Sequence, residues 1–171
     1  NRYYRNDTPL ILEKVALDLA AHMRHAREVW GYEKVVLLGW SGGGPLSLFY
    51  QSQAERPTVT HTPSGEPVDL AAAKLPPADA VMFQAANISR AVLLSEAIDP
   101  SVLDENAPDL RDPELDVFNP ANPNQPPYST DFIAHYRKAQ LVRMRRRTAW
   151  VKETLETLKK RGSKEIERGF V

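Results

Sequence analysis

Between Thr8 and Trp30, apolar residues recur at three- and four-residue spacing: Leu12, Val15, Leu19, Met23, Ala26 and Trp30. That spacing predicts an amphipathic helix with one apolar stripe. Asp7 or Thr8 supplies a cap, Pro9 suits the first helical position, and Gly31 supplies the stop. The pattern then changes. Within Lys34–Gly39, Val35-Val36-Leu37-Leu38 is an unbroken apolar run, which fits a strand buried on both faces, as in a parallel sheet covered by helices. Trp40-Ser41-Gly42-Gly43-Gly44-Pro45 follows as a glycine-rich turn, and a second helical stretch runs from Leu46 to about Gln53.

Residues 56–67 carry Pro57, Pro63, Gly65 and Pro67 among Thr and Ser. They read as a loop, or as a short hairpin with Thr58-Val59-Thr60 on one arm. Ala80 to Ala86 reads as a second buried strand. Helix, strand, turn, helix and strand in this order predict an α/β fold with a parallel sheet. Beyond Asn87 the character shifts. Residues 96–116 hold eight acids against Arg111 alone, residues 119–127 are rich in Asn and Pro, and residues 129–161 read as one long helix or two, starting near Thr130 or Asp131 and ending at Gly162. That helical region is basic, with ten Lys and Arg from 131 to 161 against Asp131, Glu153 and Glu156. The two oppositely charged stretches are expected to face each other or neighbouring acids as exposed pairs, each contributing about 0–1 kcal/mol.

Composition narrows the chemistry. Of 171 residues, 42% are hydrophobic and 26% charged, as in a globular chain. Lys and Arg balance Asp and Glu, so no global field draws the chain to nucleic acid or a membrane. The absence of cysteine excludes disulfides, thiolate catalysis and Cys-ligated zinc, and leaves the compartment open. No run is long enough to predict a membrane span. The opening Asn1-Arg2-Tyr3-Tyr4-Arg5 has no initiator Met and reads as mid-protein sequence.

One motif carries chemistry. Gly39-Trp40-Ser41-Gly42-Gly43 is G-x-S-x-G, placed directly after a predicted buried strand and directly before a helix. A serine at the tip of so sharp a turn projects its hydroxyl out of the sheet and carries backbone strain. A β-carbon two residues before or after it is expected to clash, hence Gly39 and Gly43. The helix start aims free N–H groups at the reaction centre, and the Gly42 N–H is the natural oxyanion donor.

Residues 35–50 resemble the fifth strand, nucleophile elbow and following helix of the α/β-hydrolase superfamily. Residues 80–86 are similar to its sixth strand, and residues 8–30 to the helix leading into the fifth. The resemblance implies a partial α/β-hydrolase core over residues 1–87, with parallel strands and flanking helices, and a helical cap over residues 88–171. It implies Ser41 as nucleophile and Gly42 as oxyanion donor in a serine hydrolase acting on an ester-like small-molecule substrate, with no cofactor and no metal. The family's upstream oxyanion motif, often His-Gly, does not precede Ser41. Its acid and histidine follow later strands, so the triad partners are expected outside this chain. The alternative is a non-catalytic binding domain of the same fold, or an inactive fragment.

Other features admit plainer readings. Gly39, Gly42, Gly43 and Gly44 lack the spacing of a dinucleotide loop and the lysine of a phosphate loop. His22 and His25 share a helix face with no third metal ligand nearby. His61 lies in the loop, and His135 on the basic helix is a remote candidate for a substitute base. Trp40 either packs beneath the elbow or shapes an acyl pocket. Tyr128, Phe132, Tyr136 and Trp150 are candidates to roof that pocket.

Overall fold

The first stripe folds as α1 (Leu12–Glu28) in the computed structural model, which describes residues 10–87 and 89–164. The expected cap at Asp7 or Thr8, and Pro9, lie outside the described residues. Ile11 occupies the N-cap without a side-chain bond. The buried face is Ala16, Ala20, Met23 and Ala26, while Leu12, Val15 and Leu19 are half-buried and Trp30 is exposed beyond the helix end. The inner face is therefore turned by about one residue from the predicted stripe. Alanines on that face let α1 approach its neighbour helix closely. The end of α1 is closed by the Tyr32 N–H, which donates to Ala26 O at 3.1 Å, and Gly31 takes a φ of 72°.

The apolar run becomes β1 (Val36–Trp40), which pairs in parallel with β2 (Ala80–Gln84), Leu38 lying beside Met82 and Trp40 beside Gln84. Between them runs α2 (Gly43–Glu55). This helix starts three residues before the predicted Leu46, so the turn out of β1 is only Ser41 and Gly42. α2 packs on both strands and α1 packs on α2. The core is built from Met23, Leu37, Tyr50, Val68, Leu70 and Leu75.

The expectation of strands buried on both faces is corrected. Along β1 burial alternates: Leu37 and Gly39 are buried, whereas Val36, Leu38 and Trp40 are exposed. Met82 and Phe83 of β2 are exposed as well. One face of β1 is covered, while on β2 the neighbours Met82 and Phe83, which point to opposite faces, are both open; an apolar run alone does not distinguish one covered face from two.

Polar contacts bring β2 to its place. The Asp79 carboxylate accepts the Val35 N–H at 2.8 Å and the Arg27 guanidinium at 2.9 Å, and the Asp79 N–H returns a bond to Val35 O at 2.9 Å. Gln51 bonds both the N–H and the carbonyl of Ala78, and the Tyr50 hydroxyl donates to Pro76 O at 2.7 Å. Residues 58–70 double back as expected for a short hairpin. Val68 N–H donates to Thr60 O and Leu70 N–H to Val59 O, with a bridge between His61 and Pro67.

The chain divides into two compact units, one formed by residues up to Arg90 with those from Leu158 onward, the other by Ala91–Thr157. The second is not purely helical. It holds most of α3 (Arg90–Ala97), the antiparallel pair β3 (Val102–Asp104) and β4 (Ala107–Arg111), and most of α4 (Thr130–Lys160), a single uninterrupted helix. Ser129 caps α4, its hydroxyl accepting the Phe132 N–H at 3.1 Å. Among the described residues the chain is thus a mixed α/β structure of four helices, a small parallel sheet and a small antiparallel one.

Candidate active site

Ser41 stands between the last residue of β1 and the first turn of α2 with a φ of 50°, one of three non-glycine residues with positive φ among the described residues. A left-handed backbone at a residue with a β-carbon costs about 1–2 kcal/mol. Two bonds hold it there: the Ser41 N–H donates to Gln84 O at 3.1 Å, carrying the strand ladder one residue past β1, and Ser41 O accepts the Gly44 N–H at 3.1 Å. The serine is exposed, and its hydroxyl has no hydrogen-bond partner among the described residues. Ser41 thus occupies a strained strand–turn–helix junction.

The reason for the flanking glycines is half corrected. A β-carbon at Gly39 would lie 2.7 Å from Gly44 Cα and 2.8 Å from Gly43 O, so close does the strand run to the helix start. At Gly43, by contrast, a β-carbon would meet nothing within 4 Å. The second close approach belongs to Gly44, where a β-carbon would fall 2.5 Å from Cβ of Ala86. In a run of three glycines, spacing from the serine does not say which one lies against a neighbour.

Gly42 is the N-cap of α2, with φ −63° and ψ −14°. Its N–H has no acceptor among the described residues, and it sits at the positive end of a helix of 13 residues. Ser41 and Gly42 together thus present an unpaired hydroxyl beside an unpaired backbone donor.

The histidines of the same unit, His22, His25 and His61, do not join this pair. His22 Nδ1 bonds Asp18 O at 2.8 Å on its own helix, His25 stacks edge-on to Trp30, and His61 Nδ1 lies 2.9 Å from the Thr60 hydroxyl. His135 is exposed on α4. No group of three or more His, Asp or Glu is arranged to hold a metal among the described residues. Trp40 is 68% exposed, so it does not pack beneath the Ser41 turn. No helix among the described residues is long and apolar enough to cross a membrane.

In the second unit the acidic and basic stretches meet, as their charges require. Arg143 forks onto Glu105 with Nε at 3.1 Å and Nη2 at 3.2 Å, and Arg146 and Arg147 reach the same carboxylate at 3.3 and 3.4 Å. The Glu105 side chain is only 2% exposed and that of Arg143 14%, so the expectation of exposed, weak pairs is corrected for this pair, whereas Arg146 and Arg147 remain more than a third exposed. Burial pushes its carboxyl up, but hydrogen bonds and charge from Arg143, with Arg146 and Arg147, outweigh it and hold Glu105 below the ordinary carboxylate range. Asp99 is held low in the same way: burial raises it, and bonds from Ser101 and Arg111 more than reverse that.

No protein-family model, no curated protein and no solved structure matches this chain.

Proposed function

We propose that this chain is part of a serine hydrolase of the α/β-hydrolase type, with Ser41 as its nucleophile. The observation that carries the reading is the left-handed φ of an exposed serine wedged between a parallel strand and a helix N-terminus, where Gly39 leaves no room for a side chain. Strain of this kind persists only where the surroundings impose it, and it concentrates at functional positions. In this reading the Ser41 hydroxyl attacks the carbonyl carbon of an ester-like small molecule. The Gly42 N–H receives the developing oxyanion, a contribution of roughly 3–4 kcal/mol for one such donor. A histidine from outside residues 1–171, oriented by an acid, takes the hydroxyl proton and returns it to the leaving group. Water then releases the acyl group from Ser41.

A second reading, a non-catalytic binding domain of the same fold, is favoured by one observation. No histidine of its own unit is hydrogen-bonded to Ser41 among the described residues: His22, His25 and His61 are engaged elsewhere. A fluorophosphonate probe separates the two when applied to the protein isolated from its native source. The enzyme reading expects an adduct on Ser41 that disappears in Ser41→Ala and in Ser41→Gly. The glycine variant should also gain about 1 kcal/mol of stability by relieving the positive φ. A folded protein that never takes the probe supports the binding domain instead.

A further inference from the structure

The second unit contains a cavity of about 500 Å³ that uses no residue of the Ser41 turn. Its size is that of a small-molecule site. One wall is an aromatic strip, Tyr128, Phe132 and Tyr136, spaced four residues apart across the start of α4, with ring centroids 5.1 and 5.8 Å apart. Phe118, on the loop after β4, lines the same cavity while 87% exposed. An aromatic ring so exposed beside an aromatic wall is one half of a stack awaiting the other.

The polar groups of the cavity divide into those already engaged and those open. Buried Gln140 is fully engaged: its amide donates to Glu96 O at 2.7 Å and Ile98 O at 3.0 Å, and its oxygen accepts Arg137 Nη1 at 3.1 Å. These bonds fix the end of α3 against α4 and set the plane of the Arg137 guanidinium. The Asp99 carboxylate is taken by Ser101 and Arg111. Open among the described residues are the hydroxyls of Tyr128 and Tyr136, the Glu96 carboxylate, and the Nε and Nη2 atoms of Arg137. Burial, then the nearby Asp99 and Tyr128, push the Tyr136 phenol up, so at neutral pH it stays a hydrogen-bond donor. The free Nε–Nη2 edge of a guanidinium is the edge that takes a carboxylate with two parallel bonds.

We propose that this cavity binds an aromatic carboxylate, its ring between Phe118 and the Tyr128–Phe132–Tyr136 strip and its carboxylate on Arg137. The phenol hydroxyls add donors to an anionic ligand, whereas the open carboxylate of Glu96 opposes it, as does that of Asp99 in so far as Arg111 leaves its charge uncancelled. The site stands independently of any chemistry at Ser41.

The test titrates the full chain with naphthoate, read by ligand fluorescence and by broadening of its ring-proton signals. Naphthylmethylammonium and naphthylmethanol carry the same ring with a positive charge and with none. Naphthoate should bind saturably and more tightly than either. Arg137→Gln should weaken naphthoate by roughly tenfold and leave the alcohol unchanged, with Arg137→Lys in between because it keeps the charge and loses the fork. Phe118→Ala removes an exposed side chain, so the fold survives, and all three probes should weaken. Ammonium binding as tight as naphthoate assigns the cavity to cations through Glu96 and overturns the proposal. So does naphthoate binding that ignores Arg137→Gln, or the absence of saturable binding in a protein with an unchanged melt.

Discussion

The two units of this chain are held together by different physics. In the first, α1, α2 and the parallel pair close over one apolar core in which Met23, Tyr50 and Leu70 are fully buried. Its long-range polar contacts mostly deliver the segment 73–79 to the edge of β1. In the second, Val102, Leu115, Phe132 and Leu155 are its buried apolar side chains larger than alanine, and they do not form a cluster of that kind. Side chains of α4 take over instead: Gln140, Arg143 and Arg146 cap the carbonyls of Glu96, Asp99 and Val102, and three arginines converge on Glu105. Apolar burial is non-directional and tolerant of small shifts, whereas an array of charge-assisted bonds works only in one register. The first unit holds a strained turn against a broad packed base. The second fixes the position of a helix by its polar pattern.

Removing the centre of the charged array is the strongest way to break this contrast. In Glu105→Gln, Arg143, Arg146 and Arg147 lose their shared counter-charge, the first enclosed and the other two more than a third exposed. Loss of one partner of a buried ion pair costs about 3–5 kcal/mol, and the exposure of two arginines puts this variant at the lower end, about 3 kcal/mol. Hydrogen exchange should accelerate along α4 from Gln140 to Trp150, and the amides of α2 should not change. An effect below about 1 kcal/mol would mean that the pairs behave as exposed ones. The direction of the carboxyl shifts adds a pH test. Glu105 and Asp99 titrate lower folded than unfolded, so their stabilisation is present above the ordinary carboxylate range and disappears as pH falls through the depressed folded values. Acid should therefore loosen the second unit first.

In the first unit, the glycines around Ser41 give an effect no larger than this, with an internal control. Gly39→Ala pushes a methyl group into the backbone of Gly43 and Gly44, where no side chain can move aside. Overpacking of this kind costs about 3 kcal/mol. Gly43→Ala meets open space at the first turn of a helix, so it should be neutral or stabilise by less than about 1 kcal/mol. Urea melts of the two variants decide the matter. Equal destabilisation would show that G-x-S-x-G is required as spacing, against the asymmetry of the close contacts.

How far these features were legible from sequence depends on how local their causes are. The Ser41 turn is written within six residues, because an apolar strand, a sharp turn and a helix start each leave a short-range mark. The helix α1 and the meeting of acidic and basic stretches were legible for the same reason. Which face of α1 turns inward was not, since Ala16 and Ala20 signal nothing by hydrophobicity and are selected by the closeness of α2. The open face of β1 was not legible, because Val36 and Leu38 have the same composition whether or not a layer covers them. The β3–β4 pair was hidden by its acidic composition, and Pro108 within β4 speaks against a strand. Phe118 reads as an ordinary loop aromatic until the strip on α4 is placed beside it.

The smallest effect tests the base of the first unit from the alkaline side. Tyr50 is 0% exposed, and burial raises its phenol from the ordinary 10 to about 12, with Arg24 and Arg27 pulling slightly the other way. Its hydroxyl donates to Pro76 O, so the folded state needs the proton in place. The folded pKa lies above the unfolded one. The stabilisation is therefore complete below pH 10 and is lost as pH rises toward 12, at roughly 1.4 kcal/mol per pH unit. Tyr50→Phe removes the bond and leaves Pro76 O unpaired, a cost of about 1 kcal/mol at neutral pH. It also removes the titration. The stability difference between the two proteins should thus be constant up to pH 10, shrink above it, and change sign near pH 11. Comparing the pair cancels the other tyrosines and the lysines, which titrate alike in both. A difference that stays constant through pH 11 would mean that Tyr50 ionises in place without opening the core, and that the packing of α2 against the segment at Pro76 does not depend on its proton.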